Sequence, residues 1–409
     1  MKPLFVMLAV LPFLSACNQP ESPNAELFPA AGAENVNPDT HLVLTFTDSP
    51  IVGDSGMIRI YDAMSHQIVD SLDLSIPSGP TESRTYGPEC DYTKIPYDYT
   101  RTHMPTNRDT RPGTPSGTAE PTPPDYQLNI IGGFTDAFHF HPIIVRDSTA
   151  TIYLHNNMLD YNHSYYVTID EGVLTLPDHS FHGISKEHNW SFKTKESAPA
   201  STDTLIVDAT GQGDFNTVKG ALDFIPDFSQ KQTVILIQAG DYEELVYARN
   251  KTNVKIKGAG MDRTRVHYAN NEVFNPHPLT VKTNEWPGTF PSRRAAFMLD
   301  NCSDILLEDL TIATDLHGQA EGLLLNGERI ALYSVHIIGS GDALQANGTI
   351  YMESCELDGG GDTILGRGSL FAYRSNFRND GGPFSWVRNT TGNHGDVFVE
   401  CTFAAPDGK

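Results

Sequence analysis

Leu307-Glu308-Asp309-Leu310-Thr311-Ile312, Leu332-Tyr333-Ser334-Val335-His336-Ile337, Tyr351-Met352-Glu353-Ser354-Cys355-Glu356-Leu357, Tyr373-Arg374-Ser375-Asn376-Phe377 and Val399-Glu400-Cys401-Thr402-Phe403 are versions of one shape. Aligned on Asp309, Ser334, Ser354, Ser375 and Cys401, they recur at 25, 20, 21 and 26 residues. Each is a short alternating strand bounded by Gly or Asn turns, and no helical period separates one from the next. A strand-bearing period of this length is the mark of a solenoid, and without intervening helices a parallel β-helix is the economical winding. Leucine-rich repeats share the period but require a recurring Leu-x-x-Leu-x-Leu pattern, which is absent. Upstream, Leu205-Ile206-Val207, Val234 to Ile237, Val254-Lys255-Ile256 and Ala296 to Leu299 read as further strands. Asn216 or Thr217 can cap a short helix running through Ala221 to Phe224 and ended by Pro226. That helix would close the first coil, where unpaired strand edges otherwise invite aggregation.

In such a winding, residues one coil apart lie above one another at about 4.8 Å. Gly318-Gln319-Ala320, Gly341-Asp342-Ala343 and Gly361-Asp362-Thr363 align on their glycines, with 23 residues from Gln319 to Asp342 and 20 from Asp342 to Asp362. The expectation is a column of Gln319, Asp342 and Asp362 on one face. Two carboxylates at about 5 Å repel by roughly 3 kcal/mol at an effective dielectric of 20, about two pKa units. One stays ionised as a nucleophile while the other holds its proton as a general acid, and an amide beside them can donate to a developing oxyanion. Stacked Asp residues at glycine turns can equally do no more than hydrogen-bond the backbone, and spacing alone leaves both readings open.

The 409 residues carry 28 Lys+Arg against 51 Asp+Glu, a formal charge of −23, which argues against nucleic-acid binding. The length predicts two domains. Residues 1–16 have a charged start, an apolar core from Leu4 to Leu14 too short to span a membrane, and small residues before Cys17. Leu14-Ser15-Ala16-Cys17 resembles the bacterial lipobox, which implies cleavage and lipidation at Cys17. Asn18 resembles the sorting residue of outer-membrane lipoproteins. The expected location is therefore the cell envelope, anchored to the outer membrane of a Gram-negative bacterium. After a tether over 17–26, short strands at Leu42 to Phe46, Met57 to Tyr61, Thr151 to Leu154, Tyr165 to Ile169 and Trp190 to Lys193 predict a β-sandwich over 27–195. The entry Pro29 to Val36 resembles that of bacterial immunoglobulin-like domains. Nine prolines between Ser78 and Asp125 mark a non-compact insertion over about 79–125, and 196–203 reads as a linker to a solenoid over 204–409. His139 and His141 share a strand face, but no third ligand is in view, so no metal site is assigned. Cys355 and Cys401 fall two coils apart, beyond disulfide reach.

Asp208-Ala209-Thr210-Gly211-Gln212-Gly213-Asp214-Phe215-Asn216-Thr217-Val218 resembles the opening of the pectin methylesterase (pectinesterase) family. Gly240-Asp241-Tyr242-Glu243-Glu244, Gly258-Ala259-Gly260, His317-Gly318-Gln319-Ala320 and Gly361-Asp362 with Gly366 and Gly368 follow in the family's order. The resemblance covers about residues 203–409. It implies a right-handed all-β parallel β-helix that hydrolyses the methyl esters of homogalacturonan to polygalacturonate and methanol. It also implies Asp362 as nucleophile, Asp342 as general acid and then base, Gln319 as oxyanion support, and neither metal nor organic cofactor.

Three departures stand out. Gly341 occupies the place of a second Gln. Thr363 and Leu365 replace aromatic residues, so the cleft floor is less suited to stacking on sugars. The family's later Arg, in a Leu-Gly-Arg-Pro-Trp-like segment, is missing, since Asp362 is 47 residues from Lys409, and the chain is expected to be C-terminally incomplete. Arg388 is the candidate stand-in, and Trp386 with Arg388 are the candidate substrate contacts. Partners are expected to be methyl-esterified pectin and, through Cys17, a membrane, with the chain a monomer. The competing enzyme classes, a lyase with a calcium-holding acidic cluster or a hydrolase with a third Asp, find no matching residues. A non-catalytic pectin-binding lipoprotein derived from the esterase fold is the alternative.

Overall fold

The computed structural model describes residues 24–79, 127–132, 138–186, 190–272, 274–275, 292–389 and 392–405. The expected signal segment, Cys17 and nearly all of the Pro-rich insertion lie outside the described residues.

Two sheets share one core in the N-terminal part. One is antiparallel and four-stranded, in the order Glu26–Phe28, Leu42–Thr45, Thr149–Ile152, Ile143–Arg146. The other runs Ala33–Val36, Ser191–Thr194, Ser164–Ile169, Met57–Asp62, Ile68–Asp73, with its first pair parallel. Alternation along Leu42–Thr45 and Ser164–Ile169 buries every second side chain. Leu42, Leu44, Ile58, Ile60, Val167, Phe192 and the fully buried Trp190 meet between the sheets. The expected strand at Thr151 to Leu154 is displaced two residues upstream, and four strands of these two sheets were not foreseen: Glu26–Phe28, Ala33–Val36, Ile68–Asp73 and Ile143–Arg146.

From Thr204 every strand pairing is parallel, and the pairs fall into three faces. The first carries Thr204–Val207, Thr233–Ile237, Thr252–Lys257, the middle of Phe297–Thr314 and of Leu323–Ile338, the end of Leu344–Glu353, then Ser369–Tyr373 and Asp396–Val399. The second carries Gly240–Glu243, Thr264–Tyr268, the ends of the two long strands, Glu356–Gly359, Asn376–Asn379 and Thr402–Ala404. Val246–Arg249, the starts of Phe297–Thr314, Leu323–Ile338 and Leu344–Glu353, then Ile364–Gly366 and Ser385–Val387 make the third. This is the right-handed parallel β-helix that the repeat and the resemblance predict, wound in the sense that parallel crossovers favour. Inward-facing Val, Ile and Leu stack into one continuous core.

The repeat itself is one residue out in its last two units. Asp309, Ser334, Ser354, Arg374 and Glu400 all have positive φ, between 49° and 57°. They form the column at the corner between the first two faces, because the registers pair His336 with Glu356, Asn376 with Thr402 and Tyr373 with Val399. Alignment on Ser375 and Cys401 mistook a chemically similar neighbour for the corner residue. The left-handed turn is imposed by the ladders on either side. Inside the coils, Asn347 Nδ2 donates to Asn326 Oδ1 at 2.8 Å and Asn326 Nδ2 to Asp300 Oδ1 at 3.1 Å, satisfying polar groups that the core would otherwise strand.

The predicted helix is Val218–Phe224, capped by Thr217, whose hydroxyl accepts from Gly220 N at 2.9 Å. The preceding amides are satisfied by carboxylates from elsewhere. Asp39 of the sandwich accepts from Thr217 N at 2.8 Å, and Glu244 from Val218 N at 2.7 Å and Lys219 N at 2.9 Å. Burial raises both carboxyls, Glu244 to about 7. The sandwich is thus joined to the solenoid by buried polar contacts.

A second junction bears on the site. Phe138 packs on Tyr247 with ring centroids 4.5 Å apart, and the Arg293 guanidinium lies 4.3 Å from the Phe138 ring. His139 and His141 belong to this seam: His139 Nδ1 is 2.6 Å from Phe274 O, and His141 stacks on the Phe274 ring at 4.4 Å. Burial takes both imidazoles down to about 4.

Candidate active site

Asp342 and Asp362 sit two residues ahead of Leu344–Glu353 and Ile364–Gly366, at the corner where the second face gives way to the third. Leu344 pairs with Ile364, so the two acids lie one above the other on adjacent coils. The backbone N–H of Asp362 donates to Asp342 Oδ1 at 3.2 Å. Asp342 is 4% exposed and Asp362 9%. Burial raises both carboxyls above the ordinary aspartate value, and for Asp362 the charge of Asp342 adds to it. Each is also pulled back by Arg294 and Arg388.

Glycine is what brings these turns together. A Cβ on Gly361 would fall 2.5 Å from Gly341 O, and one on Gly341 would fall 2.5 Å from Gly318 O and 3.1 Å from Gln319 Cα. No side chain fits at 341 without moving backbone. The missing Gln is therefore a consequence of how closely these two coils pass. Thr363 and Leu365 are buried, so they form no part of a cleft floor.

The third member of the column needs correction. Leu323 pairs with Leu344, and counting two residues back from each puts Glu321, not Gln319, level with Asp342. The turn after Gln319 holds two more residues than the turn after Asp342, which pushes Gln319 outward to an exposed position. Gln319 still belongs to the site, because it shares a cation with Asp342. Arg294 Nη1 donates to Gln319 Oε1 at 2.9 Å and Nη2 to Asp342 Oδ2 at 3.1 Å. With its carbonyl oxygen taken by a guanidinium, the Gln319 amide presents its NH₂ as the donor.

Sequence reading missed Arg294 and Glu321. Arg294 also reaches Glu321 Oε1 at 2.6 Å and Glu272 Oε2 at 3.1 Å. Its segment is held from behind: Asn270 Nδ2 donates to Arg293 O at 2.8 Å and Ala295 O at 2.7 Å, and Tyr247 Oη donates to Ala295 O at 2.9 Å. Glu321 is fully buried, and burial followed by the charge of Asp342 pushes its carboxyl up to about 7.

On the next coil Trp386 pairs with Leu365 and is 52% exposed. The Arg388 guanidinium lies 4.5 Å from its ring centroid. Phe384, half-buried, packs edge-on against Phe403 at 5.1 Å. An open groove of about 480 Å³, lined in part by His317, Ser340, Asp358, Arg378 and Asp380, follows the turns that precede the acids and includes neither of them in its lining. Cys302, Cys355 and Cys401 are free thiols, and Cys355 N donates to Ser375 Oγ, its neighbour on the next coil. Glu243, His267 and Asp315 bring ligand atoms within 4.8 Å of one another, but Arg146 pairs with both carboxylates and Arg265 with Asp315. That cluster is an ion-pair network, already compensated by cations.

Residues 204–379 match the family model described as Pectinesterase. "Probable pectinesterase 8" of Arabidopsis thaliana is 28% identical over 177 residues, 42% of this chain and 44% of the relative. The chain spans about half the length of the curated relatives it matches. Among solved structures, "Pectin methylesterase from Carrot" aligns with a TM-score of 0.41 at 21% identity over 51% of this chain and 66% of that one. A pectin methylesterase from Aspergillus niger aligns with a TM-score of 0.42 at 20% identity over 52% and 69%.

Proposed function

We propose that the solenoid hydrolyses the methyl esters of homogalacturonan, releasing methanol and leaving polygalacturonate. The observation that carries this is the stacked pair Asp342 and Asp362, joined through one hydrogen bond in a segment of pectinesterase sequence. The Asp362 carboxylate attacks the ester carbonyl carbon, and the oxyanion is met by the Gln319 amide. The carbon–methoxide bond breaks as Asp342 gives its proton to the departing oxygen, leaving an acyl anhydride on Asp362. Asp342 then takes a proton from water, the hydroxide attacks the acyl carbon, and Asp362 leaves as carboxylate. Arg388, which lowers the carboxyls of both acids, serves as the cation beside the nucleophile, and the exposed Trp386 offers its ring to the sugar. The negative charge of the chain suits a neutral ester better than the anionic product.

The N-terminal sandwich is read as an immunoglobulin-like domain, and the chain as a monomeric lipoprotein anchored through Cys17 to the outer membrane. Support comes from the two-sheet core and from the lipobox-like Leu14-Ser15-Ala16-Cys17. Methanol release from highly methylated polygalacturonate by the full chain tests the activity. Asp362→Asn should abolish it while the protein still folds. Binding of the polymer with no release by the unmutated chain would replace the esterase with a pectin-binding protein. Incorporation of labelled palmitate, lost in Cys17→Ser, tests the anchor.

A further inference from the structure

Arg294 poses a problem for the proposed chemistry. Asp342 must hold a proton when methoxide leaves, yet a guanidinium 3.1 Å from its Oδ2 favours the ionised form. Left alone with Arg294, Asp342 would be well oriented and a poor acid. Glu321 changes this balance. It lies level with Asp342 on the preceding coil, its side chain has no solvent exposure, and it takes Arg294 Nε at 2.6 Å, the shortest of the four contacts that guanidinium makes with its partners.

We propose that Glu321 is a positioning residue for the esterase reaction: by occupying the Arg294 charge, it lets the guanidinium orient Asp342 and Gln319 while Asp342 keeps the proton it must deliver. The inference rests on the reading of Asp342 as general acid. Glu321 faces Arg294, Asp342 and the Tyr247 phenol, and Asp342 faces Arg294, Arg388, Glu272 and Asp362. When Glu321 is ionised, the proton resides on Asp342; when Glu321 is neutral, Arg294 claims the Asp342 carboxylate. The two carboxyls therefore titrate as a pair.

The test is Glu321→Gln in the full chain, which keeps shape and an acceptor for Arg294 Nε but deletes the charge. The basic limb of the pH profile of kcat/KM for methanol release should move down by about one unit or more. The titration of Asp342 should move with it, followed by NMR on protein labelled at aspartate Cγ and assigned with Asp342→Asn. Glu321→Asp, which restores the charge, should move both back. A uniform fall in rate with the limb unmoved, or an Asp342 titration identical in the two proteins, overturns the proposal. The NMR titration needs no turnover, so a chain that releases no methanol refutes the esterase reading while Asp342 still decides this one. If Glu321→Gln does not fold, the unmutated protein decides: coupled two-step titrations of Glu321 and Asp342 support the pair, and independent single steps refute it.

Discussion

Replacing Arg294 by Met removes one cation from two buried carboxyls at once. Glu321 and Asp342 have side chains 0% and 5% exposed, so neither can recover its lost partner from water. Breaking a buried ion pair by deleting one member costs about 3–5 kcal/mol, because the other charge is left uncompensated. Protonation sets a ceiling. Holding a proton at pH 8 on a glutamate whose unfolded value is about 4.3 costs about 1.4 kcal/mol per unit, or about 5 kcal/mol, and at pH 5 only about 1 kcal/mol. The sign follows from linkage: these folded carboxyls titrate above their unfolded values, and further above without Arg294. Their contribution is fully present below about pH 4 and is lost as pH rises through the folded values. The difference between wild type and Arg294→Met should therefore be about 3–5 kcal/mol at pH 8 and no more than about 2.5 kcal/mol at pH 5, about 1 from the glutamate and about 1.5 from the aspartate, whose unfolded value is about 3.9. Urea unfolding of the full chain at both pH values, followed by far-ultraviolet circular dichroism, measures it. A difference that stays constant with pH, or stays below about 1 kcal/mol at pH 8, would show that Arg294 does not carry these charges.

Glu244 is held at about 7 by burial behind the cap helix, so its share of the stability is complete below about pH 4 and disappears as pH rises through 7. Glu244→Gln should flatten the fall in melting temperature between pH 5 and pH 8, and an unchanged slope would count against a buried, titrating Glu244. Gly348→Ala would place a methyl 1.6 Å from Gly327 O, and the coil spacing leaves no room to relax. A loss of about 3 kcal/mol in urea unfolding is expected, and a variant of wild-type stability would contradict the stacking. The thiols of Cys302 and Cys355 are pushed up by burial to about 12 and 11, so neither should react with an aromatic disulfide reagent until the chain is denatured. Equal labelling in native and denatured protein would refute their burial.

The solenoid was readable because one coil is a nearly constant length of chain. From Leu323 through Leu344 and Ile364 to Ser385 the registers advance by 21, 20 and 21 residues, and the stacking of Asp342 on Asp362 follows from that step. Legibility stopped where a coil departs from the step. Val246 pairs with Phe297, 51 residues on, because the chain makes an excursion before rejoining the third face. Arg294 lies at the end of that excursion, where no period points to it, and it became part of the site only by packing. Glu321 was hidden for a related reason: two extra residues in one turn exchanged it with Gln319.

Local chemistry by itself determined the strands, the Thr217 cap, the glycine turns and the pairing of the two acids, since each depends on side-chain alternation or on a backbone contact one coil away. The tertiary fold decided which cation serves the acids, which glutamate answers that cation, and that Gly341 can carry no side chain. These depend on distances between segments whose sequence separation carries no information, and in a low-dielectric corner such distances set the charge of every group.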